Sequence, residues 1–170
     1  MLNLKGVGVA LVTPFNEQKE INFTEFEKVV NYVIEGGVDN VVVLGTTGES
    51  VTLSKQEKQD SIHKCVEVTN KRVPVIAGFG EKKKKSIIAD MQSFDLSGVD
   101  AILSVSPYYN KPTQEGIYEH YKAIANSTDL PIILYNVPGR TASNIRATTT
   151  LQLANDFKNI IGVKEAAGDI

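Results

Sequence analysis

The chain has 170 residues, of which 42% are hydrophobic and 22% charged, and its formal net charge is −2. That length suits one domain with an ordinary globular composition, and the near-neutral balance gives no field to hold nucleic acid or an anionic membrane surface. The single cysteine, Cys65, excludes a disulfide framework and a Cys-based metal motif, and no apolar run approaches the ~20 residues of a membrane-spanning helix. Met1 to Lys5 is not followed by a signal-peptide pattern, so the expected location is the cytoplasm.

In chain order, short apolar runs alternate with amphipathic stretches. The runs are Gly6–Val12, Asn40–Leu44, Val73–Ala77, Ala101–Val105, Ile132–Tyr135 and Ile160–Lys164. Most are Val- and Ile-rich and apolar nearly throughout, which predicts strands buried on both faces. Between them, Thr24–Glu35 opens with Thr24-x-x-Glu27 and stops at Gly36-Gly37, while Ser54–Thr69 opens with Ser54-x-x-Glu57. Both openings read as capping boxes. Lys82–Leu96, Thr113–Asn126 and Thr148–Phe157 complete five predicted helices. Each strand-to-strand step takes roughly 30 residues, the size of a βαβ unit.

Such α/β repetition builds either a doubly wound sheet or a (β/α)₈ TIM barrel. No Gly-x-Gly-x-x-Gly turn follows the first strand, and Gly78-Phe79-Gly80 is too short to be one. Chemically loaded residues instead follow every strand: Thr13-Pro14-Phe15, Gly45-Thr46-Thr47-Gly48-Glu49, Gly78-Phe79-Gly80, Pro107-Tyr108-Tyr109-Asn110, Tyr135 to Arg140, and Lys164-Glu165. A barrel active site needs such a distribution, whereas a doubly wound sheet concentrates its ligands at one switch point. The expected fold is therefore a (β/α)₈ barrel. About 250 residues make a whole one, so residues 1–170 read as an incomplete catalytic barrel, truncated after about six strands, with the last two βα units missing.

Lys164 ends the sixth run, where burial at a barrel mouth would favour a neutral, nucleophilic amine. Taken alone, the commoner reading is a lysine that snorkels into solvent, and the other five loops reverse it. Thr46 and Thr47, between Gly45 and Gly48, offer amides and hydroxyls that suit a carboxylate; the plain alternative is a connecting turn. Tyr135 ends the fifth run, beside the sixth, and a phenol there can move protons; its alternative is a core aromatic. Tyr108 and Tyr109 are adjacent and point different ways, so at most one serves the same site. Arg140 follows a Pro-Gly turn and presents a fork for a carboxylate, or else is a solvated loop arginine. His63 and His120 lie on predicted helices without a second ligand at metal spacing, and read as structural or surface residues. Cys65 reads as a buried structural thiol. The run Lys82–Lys85 reads as a solvated face.

Gly-Thr-Thr-Gly-Glu-Ser (45–50), Pro-Tyr-Tyr-Asn (107–110), Tyr-Asn-Val-Pro-Gly-Arg-Thr (135–141) and Gly-Val-Lys-Glu-Ala (162–166) occur in this order. Together they resemble the dihydrodipicolinate synthase family over the whole chain. The resemblance implies a (β/α)₈ barrel with a C-terminal helical region, assembled as a homotetramer, that condenses pyruvate with aspartate semialdehyde on the route to diaminopimelate and lysine. It implies that Lys164 forms an imine with pyruvate, with no metal or organic cofactor. Thr47 would hold the pyruvate carboxylate, with Gly45 also in the substrate-binding set. Tyr135, Thr46 and Tyr109 would relay protons, Tyr109 from a neighbouring subunit, and Arg140 would hold the semialdehyde carboxylate. N-acetylneuraminate lyase and other sugar-acid aldolases share the lysine and tyrosine, but usually lack the Pro-Gly-Arg and Pro-Tyr-Tyr-Asn combination. An inactive, self-associating fragment is a further reading. Where family members inhibited by lysine carry an Asn and a nearby Glu, this chain has Lys82 and Ser86, and Lys55 replaces a common histidine.

Overall fold

A computed structural model describes residues 2–80 and 84–168. Its elements, in chain order, are β1 (Gly8–Ala10), α1 (Phe23–Glu35), β2 (Asn40–Val43), α2 (Lys55–Thr69), β3 (Val75–Phe79), α3 (Lys84–Ser93), β4 (Ala101–Val105), α4 (Gln114–Ala125), β5 (Ile132–Asn136), α5 (Pro138–Thr141), α6 (Ala147–Asp156) and β6 (Ile160–Glu165). All six expected strands are present, and so are the five long helices. Residues 81–83, including Lys82 and the start of the lysine run, lie outside the described residues. No helix among the described residues is long and apolar enough to cross a membrane.

The chain forms two compact units: Met1–Gly78 with Asp95–Ala101, and Phe79–Phe94 with Ile102–Ile170. In the first, β1 pairs with β2 and β2 with β3, both in parallel, with Val41 opposite Val75 and Val43 opposite Ala77. The Val and Ile side chains predicted for two buried faces are buried here: all four residues of β2, and Val75, Ile76 and Ala77 of β3. Phe26 and Val30 of α1 and Ile62 and Cys65 of α2 complete the core. Each large apolar side chain so buried stabilises by about 1.5–3 kcal/mol before the entropy of ordering it.

The capping box expected at Thr24 is absent. α1 begins two residues earlier, where the Asn22 side chain accepts a hydrogen bond from the Glu25 amide. The Asn22 amide in turn donates to the Pro14 carbonyl at 2.9 Å, next to a short Phe15–Ile21 bridge. Starting there brings Phe23 into the helix, edge-on to the buried Phe26 with ring centroids 6.5 Å apart. Tertiary packing thus chooses between two competent caps. The box at Ser54 is present: the Ser54 hydroxyl accepts from the Glu57 amide, and the Glu57 carboxylate accepts from the Ser54 amide. These bonds hold the Glu57 carboxyl below the usual carboxylate range. α1 ends at Gly36-Gly37 as expected, with Gly37 at φ +87°.

In the second unit β4 pairs with β5 and β5 with β6, again in parallel. The Thr113 hydroxyl caps α4 by accepting from the Gly116 amide, and α4 buries Ile117, Tyr121 and Ile124. The Tyr121 hydroxyl donates to the Ser104 carbonyl at 3.0 Å, and burial pushes its own acidity down. His120, read as structural or surface, is buried with its ring edge-on to Tyr121, whereas His63 is exposed beside Asp95. Two strands depart from burial on both faces. β1 is only partly covered, and β6 is exposed from Ile161 to Glu165 because, among the described residues, it has a strand on one side only.

Gly78 shows why one residue type is required. A Cβ there would land on the Leu44 carbonyl, a backbone atom that cannot step aside. Gly78→Ala is therefore expected to lower stability by about 1–3 kcal/mol through overpacking, read as a reduced urea midpoint with unchanged m-value. Cys65 is fully buried, and desolvation pushes its thiol from the ordinary 9.0 up to about 12. The folded state thus keeps a proton that the unfolded chain sheds. This stability is fully present below the ordinary thiol range and is lost as pH rises through about 12. Urea unfolding between those limits should weaken more steeply in the wild type than in Cys65→Ala.

Candidate active site

The glycine-flanked threonines lie in a tight turn directly after β2. Thr46–Gly48 is one turn of 3₁₀ helix, closed by the Gly48 amide on the Gly45 carbonyl at 3.0 Å and the Glu49 amide on the Thr46 carbonyl at 3.1 Å. Two non-glycine residues in left-handed backbone frame it, Leu44 at φ +58° and Glu49 at φ +53°. Such conformations cost energy and gather where surrounding structure enforces them, often at functional sites. Here the enforcement is visible: the buried Thr13 hydroxyl donates to the Gly48 carbonyl at 2.7 Å. Gly45 is buried, while Thr46 and Thr47 are exposed. Amides at the start of a helical turn have no acceptor within it, so this turn presents N–H groups and hydroxyls together, the donor set a carboxylate accepts.

In the second unit, Tyr135 on β5 stands directly opposite Lys164 on β6. The Lys164 Nζ lies 4.6 Å from the centroid of the Tyr135 ring, over its face. Tyr135 is 8% exposed, so a buried phenol ring forms the floor beneath the amine. The pairing of amine and phenol expected from the last two runs is present. The burial expected for Lys164 is not: its side chain is exposed, for the same reason as the rest of β6.

That juxtaposition depends on a register shift. Ile132 pairs with Ile160 but Ile133 pairs with Gly162, so Ile161 has no partner in the ladder. Without the shift, Tyr135 would face Val163 and Lys164 would face Asn136. One residue of slip in a strand moves every side chain to the opposite face.

Asn136, buried at 1% exposure, holds the ends of these strands together. Its Nδ2 donates to both oxygens of Glu165, at 3.0 and 2.8 Å, and to the Asn144 Oδ1 at 2.7 Å. Its Oδ1 accepts from the Ile145 amide at 3.0 Å. Neither Asn136 nor Glu165 drew a role from the sequence beyond membership of a loaded loop. The available signal was a polar amide closing an otherwise apolar run.

Arg140 lies on α5, a single helical turn where a Pro-Gly turn was expected, and is exposed. The turn is pinned by the buried Thr141 hydroxyl, which donates to the Ser143 carbonyl at 2.8 Å. Tyr109 is 76% exposed with left-handed backbone at φ +77°, whereas Tyr108 is half-buried. Gly45, Thr46 and Thr47 belong to the first unit; Tyr109, Tyr135, Arg140 and Lys164 belong to the second. Among the described residues, no three His, Cys, Asp or Glu side chains gather where they would hold a metal ion.

A model of the Dihydrodipicolinate synthetase family matches residues 3–170. The chain is 54% identical over 165 residues to the 4-hydroxy-tetrahydrodipicolinate synthase of Flavobacterium psychrophilum, covering 97% of this chain and 56% of that protein. It resembles the solved dihydrodipicolinate synthase of Bacillus anthracis at 46% identity and TM-score 0.95, covering 99% of this chain and 57% of that one. It also resembles the Acinetobacter baumannii enzyme, solved with pyruvate, at 45% identity and TM-score 0.94 over the same shares. The chain thus spans little more than half the length of the relatives it matches. Its fold is that of six strands of a (β/α)₈ barrel with their helices.

Thr13 offers a test of how the threonine turn is held. Thr13→Val keeps the volume but leaves the Gly48 carbonyl without its buried donor. It should cost about 1–3 kcal/mol in stability, and faster amide exchange should appear at Gly48 and Glu49.

Proposed function

The chain belongs to the dihydrodipicolinate synthetase family, and from that premise we propose that it carries the Schiff-base machinery of a 4-hydroxy-tetrahydrodipicolinate synthase. The observation that carries this reading is the Lys164 amine over the Tyr135 ring, on adjacent strands and in one rung. The four motifs in register and the curated relatives support it. A pyruvate complex of one similar enzyme fits the substrate class.

In this reaction the neutral Lys164 amine attacks the carbonyl carbon of pyruvate. The carbinolamine loses water to give an imine, whose positive nitrogen draws electrons from the methyl carbon. Loss of a methyl proton then yields an enamine nucleophile, which attacks the aldehyde carbon of aspartate semialdehyde. Thr47 holds the pyruvate carboxylate, and Gly45 belongs to the same substrate-binding turn. Tyr135 takes up and returns protons at the carbinolamine, passing them through Thr46 and Tyr109, the latter from a neighbouring subunit of a tetramer. Arg140 grips the semialdehyde carboxylate with its fork. The covalent imine takes the place of a cofactor, and the reaction belongs to cytoplasmic diaminopimelate and lysine synthesis. Residues 1–170 form the larger part of the catalytic barrel, whose last two βα units and C-terminal helical region lie outside them.

Borohydride trapping tests the reading. Reduction of the intact enzyme in the presence of pyruvate should leave a carboxyethyl group on the Lys164 Nζ, found by peptide mass spectrometry, and Lys164→Arg should abolish it. Unmodified Lys164, or label on another lysine, would refute the assignment.

A further inference from the structure

The register shift at Ile161 sets Lys164 opposite Tyr135, but a shift with an unpartnered residue needs something beyond it to hold the new alignment. β6 has little else to hold it: residues 161–165 are exposed, and among the described residues only β5 pairs with them. Backbone pairing alone does not choose between two registers one residue apart, since each provides the same kind of ladder bonds. A side-chain contact specific to one register does.

Asn136 makes that contact. Its amide orientation is determined chemically: the Ile145 N–H only donates and the Glu165 carboxylate only accepts, so Oδ1 faces Ile145 and Nδ2 faces Glu165. Its own carbonyl accepts from the Ala166 amide at 2.9 Å, immediately beyond Glu165. Glu165 is fixed in turn, because its Oε1 also accepts from the Ala167 amide at 2.8 Å. In the alternative register Lys164 would stand opposite Asn136, and the Asn136 Nδ2 would lose the carboxylate that accepts from it. The same Asn136 ties residues 144 and 145, which close the segment that carries Arg140.

Resting on the Schiff-base reading above, we infer that Asn136 is a positioning residue for that reaction: by clamping the Glu165 carboxylate it locks the β6 register that holds the Lys164 amine over Tyr135. It touches no reacting atom, and its action on Lys164 runs through Glu165.

A charge exchange separates this role from general support of the fold. Asn136→Asp keeps the acceptor for Ile145 but sets one carboxylate against another. The time course of borohydride-trapped carboxyethyl on Lys164 should slow by about tenfold to a hundredfold, the range for losing a hydrogen bond to a charged group. Adding Glu165→Gln restores a donor to the pair, and the double variant should return to within about threefold of wild type. Glu165→Ala, which keeps the bonds of Asn136 to Asn144 and Ile145, should slow trapping as well and serves if Asn136→Asp does not fold. Wild-type trapping rates in Asn136→Asp or in Glu165→Ala would overturn the inference, as would a double variant no faster than Asn136→Asp. A wild-type enzyme that takes no label at Lys164 would remove the Schiff-base reading itself, and this inference with it.

Discussion

Parallel pairing between β5 and β6 admits alignments in steps of one residue, and each step turns a strand's side chains to the other face. The chemistry proposed for this chain hangs on which step is taken. In the observed one, a buried phenol ring and an amine share a rung, 4.6 Å apart. One residue earlier or later, the same sequence would present Val163 or Glu165 to Tyr135. The unpartnered Ile161 and the Asn136–Glu165 clamp are the means by which the alignment is set. Bulges at strand ends commonly re-aim a side chain in this way.

The first unit solves a different problem with backbone rather than side chains. A turn that exposes amides and hydroxyls to solvent has little apolar burial of its own to define it. Here left-handed Leu44 and Glu49 bracket the turn, the Thr13 hydroxyl anchors Gly48, and Gly78 allows the neighbouring strand to pass close to Leu44. Strain at two residues is thereby offset by packing and a buried hydrogen bond nearby. The result is a turn whose Thr46 carbonyl helps to close it, at 3.1 Å from the Glu49 amide, while Thr46 and Thr47 are exposed.

Exposure of the lysine is the main departure from what its chemistry leads one to expect. A Schiff-base amine is usually activated by desolvation, yet Lys164 is exposed on a strand that, among the described residues, is paired on one side only. The relatives extend well beyond the segment matched here. Proximity to the phenol is therefore a property of this chain's own β5–β6 pair, whereas burial of the amine is not.

The sequence by itself determined the strand and helix order, the stop at Gly36-Gly37, the cap at Ser54, and which residue types follow each strand. Those signals are local: a hydroxyl three residues before an amide, a glycine at a left-handed position, or a run of β-branched side chains acts over one turn or one strand. At α1 the local signal read at Thr24 was not used: the helix is capped by Asn22, and Phe23 joins it edge-on to Phe26. The register of β6 was likewise out of reach, although Gly162 within an apolar run was a hint of irregular pairing. The sequence placed Tyr135 and Lys164 on neighbouring strands, but tertiary structure alone decided that they share one rung and that Asn136 meets Glu165. The reason is that a strand's register is a relation between two segments separated by a helix, and no stretch of either one contains it.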